Sequence, residues 1–205
     1  MRKFVKKNHH KYLAELVGTF VLCLAVSLSL TGAFALSTPL AAGMALGLGV
    51  YTLGSVSGAH FNPAITIGLL TIGKITGRNA KYYIISQIIG AALAVLFLKY
   101  CLKLPVADLA ASNSPQIVGA EFIGAFVFAM GVAAATLGKV TAGASGLTVG
   151  GSLLLGIAIA AAAGSNAVLN PAVALAVGTF SFTYLIGPIV GAILAMTAYK
   201  YLTDQ

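Results

Sequence analysis

The chain has 205 residues, 59% of them hydrophobic and only 8% charged, with 12 Lys and Arg against 4 Asp and Glu and no Trp. A soluble domain carries about 25% charged residues, so a third of that density does not coat a water-facing surface. The composition describes an integral membrane protein and excludes a soluble enzyme, a nucleic-acid binder and a disulfide-stapled secreted domain. The net charge of +8 is read as basic residues marking one face of a bundle, not as a site for an anionic partner.

Residues 1–11 carry Arg2, Lys3, Lys6, Lys7 and Lys11 and are expected to form a basic cytoplasmic tail. The apolar run behind them continues to about Leu36 without a small-residue cleavage site, so it is expected to be a retained first helix and not a removable signal. Pro39 opens a second run to about Val56, as a helix-initiating proline can. Ser57-Gly58-Ala59-His60-Phe61-Asn62-Pro63-Ala64 follows, and then a short apolar stretch that stops at Gly73-Lys74, predicting a half-helix over 62–73. About ten residues make about 15 Å of helix, half the hydrocarbon thickness, which does not span. A third full run from about Ala80 to Leu102 closes a unit of residues 12–104, and a polar connection follows at 105–115. A fourth helix is expected from about Gln116 to Leu137, a fifth from about Leu147 to Ala163, a second half-helix over 170–178 and a last helix from about Phe182 to Leu202, which together make a unit of residues 116–202. Long apolar runs such as Leu16 to Leu30 lack the strict alternation of barrel strands. Cys23 and Cys101 have no framework or metal spacing, and no cofactor or metal site is expected.

The two units repeat in order. Ala14-Glu15-x-x-Gly18-Thr19-Phe20 matches Ala120-Glu121-x-x-Gly124-Ala125-Phe126, Asn62-Pro63-Ala64 matches Asn170-Pro171-Ala172, and Gly90-Ala91 matches Gly191-Ala192, at offsets of 106, 108 and 101 residues. Each unit has three spans, an odd number, so the second enters the membrane from the opposite side. The expected fold is an all-α membrane protein of six transmembrane helices and two re-entrant half-helices in an inverted 3+3 repeat. With the N-terminus inside, ten of the twelve basic residues fall on the cytoplasmic side and only Lys99 and Lys103 on the other, a positive-inside bias.

Each Asn-Pro-Ala starts a helix too short to cross. Proline at the first helical position leaves no extra donor missing, and asparagine is a strong N-cap; by themselves these are two ordinary helix starts. Their location after a full span makes them more than that, because non-helical backbone at membrane depth is tolerated only where it is buried in protein or lines a wet cavity. Two inverted segments meet near the midplane with about half a positive charge at each helix start, which disfavours cations. The amides of Asn62 and Asn170 offer donors to a passing solute. The carbonyls of Gly58, Ala59 and His60 and of Asn166, Ala167 and Val168 lie outside helices and are candidates to line the path. The object so described is a narrow passage for small neutral solutes.

Six spans, inverted halves, the paired Asn-Pro-Ala boxes, the Ser-Gly-Ala-His-Phe-Asn-Pro-Ala run and the Ala-Glu-x-x-Gly-Thr-Phe opening resemble the aquaporin family of major intrinsic proteins, from about Tyr12 to Leu202. The resemblance implies a homotetramer in the lipid bilayer in which each protomer has its own pore centred on Asn62 and Asn170. It gives Glu15 and Glu121 a structural role, accepting hydrogen bonds from re-entrant-loop N–H groups, and it makes His60 a packing residue. Small residues at helix-contact spacing, Gly43-x-x-x-Gly47, Gly54-x-x-x-Gly58, Gly146-x-x-x-Gly150 and Gly187-x-x-x-Gly191, are expected to serve close packing.

Most aquaporins follow the second Asn-Pro-Ala with an arginine that forms the narrow filter. Here the position is Val173. By the same matching the fifth-helix position, twelve residues before Asn170, is Ala158, the loop position is Ala167 and the second-helix position is about Leu46. This set has no charge, ring or histidine, which predicts a wide, apolar filter passing water, glycerol-like polyols, urea and peroxide. The alternative is a facilitator of undissociated metalloid or other weak acids. Phe34, Tyr51, Phe180 and Tyr184 are the aromatic residues that would refill the gap. A secondary transporter would need ionisable midplane ligands beyond Glu15 and Glu121, an enzyme would need a nucleophile with its base, and a purely structural membrane protein would carry no flux.

Overall fold

The computed structural model describes residues 2–32 and 34–203; for residues 2–8 only the backbone is described. The described chain folds as eight α-helices: α1 (Arg2–Leu30), α2 (Thr38–Ser57), α3 (Pro63–Thr71), α4 (Gly77–Leu96), α5 (Pro115–Thr136), α6 (Ala142–Ala162), α7 (Pro171–Ala176) and α8 (Phe182–Thr203), with a π-helical extension of α4 over Phe97–Leu102. Six of them, α1, α2, extended α4, α5, α6 and α8, are long and apolar enough to cross a membrane. The nine residues of α3 and six of α7 are half-spans. Even crossing number puts both chain ends on one side, called the terminal side below; the opposite side is the far side.

Caps account for the boundaries. Ser114 and Thr76 each accept from a backbone N–H of the following turn, Ile117 at 3.3 Å and Asn79 at 3.4 Å, satisfying donors that a helix start leaves open. Gly58, at φ 93°, closes α2 with its N–H bonded to the Gly54 carbonyl. Several boundaries differ from expectation. Residues 2–11, expected as a tail, continue into α1 as helix, α1 ends at Leu30 and not Leu36, and α6 begins at Ala142, five residues before Leu147. The opening of α6, Ala142-Gly143-Ala144-Ser145, carries only small side chains, which leaves its helix start without a marked apolar signal.

The packing has the symmetry of the repeat. α1 packs on α2 and α4 as α5 packs on α6 and α8, α3 lies against α8 as α7 lies against α4, and α2 crosses α6 at the centre. Close approach requires glycine at two matched places: a Cβ on Gly90 would overlap the Leu16 carbonyl, and one on Gly191 the Phe122 carbonyl. Gly43 and Gly47 likewise meet the backbone of Gly150 and Gly146, as expected of small residues in lipid. Gly54 and Gly58 do not join two helices; one borders a cavity and the other caps α2.

Candidate functional site

The two half-helices meet start to start. Asn62 Oδ1 accepts from Ala64 N at 2.8 Å, and Asn170 Oδ1 accepts from Ala172 N at 3.0 Å, so both asparagines cap their own helices. Their amides cross over: Asn62 Nδ2 donates to Leu169 O at 2.9 Å and Asn170 Nδ2 to Phe61 O at 3.0 Å. An amide nitrogen carries two N–H groups. One of each pair is used in locking the opposite loop, and the other remains for a solute.

The loops before these caps carry four residues other than glycine with left-handed backbone: Ala59 (φ 52°), Phe61 (φ 47°), Ala167 (φ 54°) and Leu169 (φ 54°). Each costs on the order of 1–2 kcal/mol for an L-residue, so something must hold them. Alternating backbone hands gather successive N–H groups into a concave anion site, and each concavity is filled by a carboxylate of its own half. Glu15 accepts from His60 N at 3.0 Å, Phe61 N at 2.8 Å, Ser57 Oγ at 2.6 Å and Gln87 Nε2 at 2.8 Å. Glu121 accepts from Val168 N at 3.0 Å, Leu169 N at 2.7 Å and Ser165 Oγ. Both carboxylates are fully buried, and the loss of hydration is compensated because their oxygens face hydrogen-bond donors.

His60 is more than packing. Thr66 Oγ1 donates to Asn62 O at 2.9 Å and accepts from Gln87 Nε2 at 2.9 Å, so the 3.1 Å contact of His60 Nδ1 with the same oxygen is an Nδ1–H donation. That leaves Nε2 as an acceptor. The ring rests edge-on against Tyr83 with centroids 5.0 Å apart and borders the path through the bundle.

Two cavities make that path. The far-side cavity, with about 30 Å³ of room for water-sized solutes, is bounded by α1, α2, α6 and the second re-entrant segment; the terminal-side cavity, with about 400 Å³, is bounded by α2, α5, α6 and the first re-entrant loop. They share Leu46, His60 and Phe128 as walls. Gly58 and Ala59 border the terminal-side cavity, and Asn166, Ala167 and Val168 the far-side one. Asn62, Asn170 and Val173 line the far-side cavity as well, while Pro63, Ala64, Pro171 and Ala172 are buried behind them. Among the described residues none lining either cavity carries an Asp, Glu, Lys or Arg side chain.

The filter set needs two corrections. Ala158 is exposed on the outer face of α6, and it is Ile157, with Leu153 one turn earlier, that lines the cavity. A one-residue slip turns a helical side chain by about 100°, enough to carry it from the pore to the outside. The 4-residue rhythm Val149, Leu153, Ile157 in α6 is the signal that fixes the phase. Leu46 borders both cavities, at the level of His60, whereas Ala42, one turn nearer the start of α2, borders the far side alone. Aliphatic side chains therefore occupy space expected to be open. Neither Phe34 nor Phe180 is among the cavity walls, Tyr184 is buried with its hydroxyl accepting from Asn166 N at 3.4 Å, and Tyr51 borders only the terminal-side cavity.

Six spans enclosing two opposed half-helices, with a lined path past their paired starts, define a channel-forming membrane protein. The family model of major intrinsic proteins matches residues 3–199, and the chain belongs to that family. It is 35% identical over 187 residues to aquaporin AqpM of Methanothermobacter thermautotrophicus, covering 81% of this chain and 76% of that protein. It is 34% identical to glycerol uptake facilitator protein-like 6 of Lactiplantibacillus plantarum, covering 95% and 99%. The X-ray structure of the aquaglyceroporin from Plasmodium falciparum has the same fold, with a TM-score of 0.69 at 21% identity over 96% of this chain and 97% of that one.

Proposed function

We propose that the protein is a passive channel for water and small uncharged solutes such as glycerol and urea, whose constriction is apolar. The observation that carries this reading is the cavity wall itself: Ala42, Ile157, Ala167 and Val173 surround the far-side approach to Asn62 and Asn170 with no charged group among them. A polar solute moving past that wall loses hydration without replacement until it reaches the asparagine amides, a loss that weighs most on ions. The half-helix starts add a positive potential at the same level. Relatives named as an aquaporin and as a glycerol facilitator support this substrate class. Ile157 and Leu153 make the filter less wide than alanine at that level would, so discrimination rests on size as well as polarity.

The protein sits in this reading as a homotetramer in a plasma membrane with both ends cytoplasmic, an orientation favoured by ten basic residues on one side against two on the other. Exposed apolar side chains on α1, α2 and α6, including Leu13, Val17, Met44, Leu48, Leu147 and Leu155, suit contact with lipid or neighbouring protomers. Stopped-flow light scattering on reconstituted vesicles tests the channel, with water, glycerol and urea gradients across parent and Val173→Arg protein. The parent is expected to pass all three linearly with concentration, and Val173→Arg to keep water flux while losing most glycerol flux. Equal glycerol flux in both proteins would sink the apolar constriction; saturable flux would sink the channel.

A further inference from the structure

The connection between the halves, residues 103–114, contains no helix, and its middle is tied to the second half at three points. Leu109 N donates to Val177 O at 2.9 Å at the end of α7. The Asn166 side chain donates Nδ2 to Ala110 O at 3.0 Å, and Thr183 Oγ1 donates to Asn113 Oδ1 at 3.0 Å. A surface connection ordinarily satisfies its backbone with water; this one spends its groups on the re-entrant segment that walls the pore, and so runs as a strap over the far-side mouth. The Leu109 side chain, half-buried, lines the same cavity as Val173 and Val177. Asn166 gives its remaining reach to Thr179 Oγ1 at 3.4 Å, so its amide holds neighbouring chain on both sides.

We propose that Leu109 is a specificity-determining residue at the pore entrance and that Asn166 is the positioning residue that holds it there. The inference rests on the channel reading above. The Leu109 side chain offers no hydrogen bond to a solute, so each hydroxyl passing it sheds water uncompensated. Glycerol, with three hydroxyls and a larger cross-section, is hindered more than water. Shortening Leu109 relieves both effects, and lengthening it aggravates both.

The test measures the ratio of glycerol to water permeability in vesicles containing parent, Leu109→Ala, Leu109→Phe, Asn166→Ala and the Leu109→Ala/Asn166→Ala double variant, each matched for incorporated protein. Leu109→Ala is expected to raise the ratio by about threefold or more and Leu109→Phe to lower it by a similar factor. Asn166→Ala is expected to raise it too, and to add little once Leu109 is already alanine, a non-additivity that general loosening of the loop does not produce. Leu109→Val, which removes one methylene, gives the same direction at smaller size if the alanine variant fails to incorporate. Ratios that stay at the parent value in both Leu109→Ala and Leu109→Phe overturn the proposal while leaving the channel intact. Parent vesicles no more permeable than empty ones overturn the channel itself.

Discussion

Both halves of the bundle hold their re-entrant loops by a buried carboxylate, yet they differ in what surrounds it. In the first half Glu15 sits in a polar network with Ser57, His60, Thr66, Gln87 and Tyr83, whose hydroxyl donates to Ser57 O at 2.7 Å. In the second half the matched positions are Ser165, Val168, Ala174, Pro188 and Tyr184, so histidine, threonine and glutamine give way to valine, alanine and proline. The loops nevertheless take the same backbone, with left-handed residues two apart before each asparagine. Carboxylate, serine and paired N–H groups are thus sufficient for the loop, and the remainder of the first network is redundancy. That redundancy predicts that the second half is the weaker one.

The largest effect expected from this asymmetry is at the carboxylates. Glu121→Ala leaves Val168 N, Leu169 N and Ser165 Oγ without their acceptor, at about 1–3 kcal/mol for each buried group left unpaired. Little folded protein should survive detergent extraction. Glu15→Ala strands comparable groups, but the Gln87 amide lies 2.8 Å from the carboxylate and its Oε1 has no partner among the described residues, so it can swing in as a replacement acceptor. Thermal unfolding of the two variants in detergent should rank Glu121→Ala well below Glu15→Ala. The reverse order would mean that the first network is a requirement.

A smaller effect, and an equal one in the two halves, is expected where the symmetry is strict. Gly90→Ala and Gly191→Ala each push a methyl group into the backbone of the helix opposite, Leu16 in one case and Phe122 in the other. Overpacking of this kind costs about 1–3 kcal/mol, and the two melting temperatures should fall together. A large difference between them would show that the halves also differ in how α4 and α8 yield.

What a single sequence discloses here depends on whether a feature is local. The Asn-Pro-Ala boxes, the short helices after them and the carboxylates at matched places are readable because each needs a particular residue type at a particular spacing. The left-handed backbone at Ala59, Phe61, Ala167 and Leu169 is not, since none of these is glycine and the conformation is imposed by a carboxylate more than 40 residues away in sequence. Counting back from Asn170 to Ala158 fails for a related reason: the count passes through a non-helical loop, whereas the phase of α6 is carried by its own apolar rhythm. Leu109 lies in a polar connection and reaches the pore only through tertiary hydrogen bonds.

The smallest single effect is expected at Gln87, and it bears most directly on the redundancy. Gln87→Leu removes two donations, to Glu15 Oε2 and Thr66 Oγ1, but it also removes a buried Oε1 that has no partner. Glu15 keeps Ser57 and two backbone N–H groups, and Thr66 keeps Asn62 and His60. A typical hydrogen bond contributes about 1 kcal/mol net, and loss of an unsatisfied acceptor offsets part of that, so Gln87→Leu alone should shift unfolding only slightly. Its consequence appears in combination. With leucine at position 87 the Gln87 oxygen can no longer replace the lost carboxylate, and Glu15→Ala in that background should become as damaging as Glu121→Ala is alone. Thermal unfolding of the four members of this double-mutant cycle measures the coupling, which is expected to be unfavourable to the double variant by more than the sum of the single effects. Strict additivity would show that Gln87 does not stand in for Glu15, and the greater tolerance of the first half would then have to come from Ser57 and Tyr83.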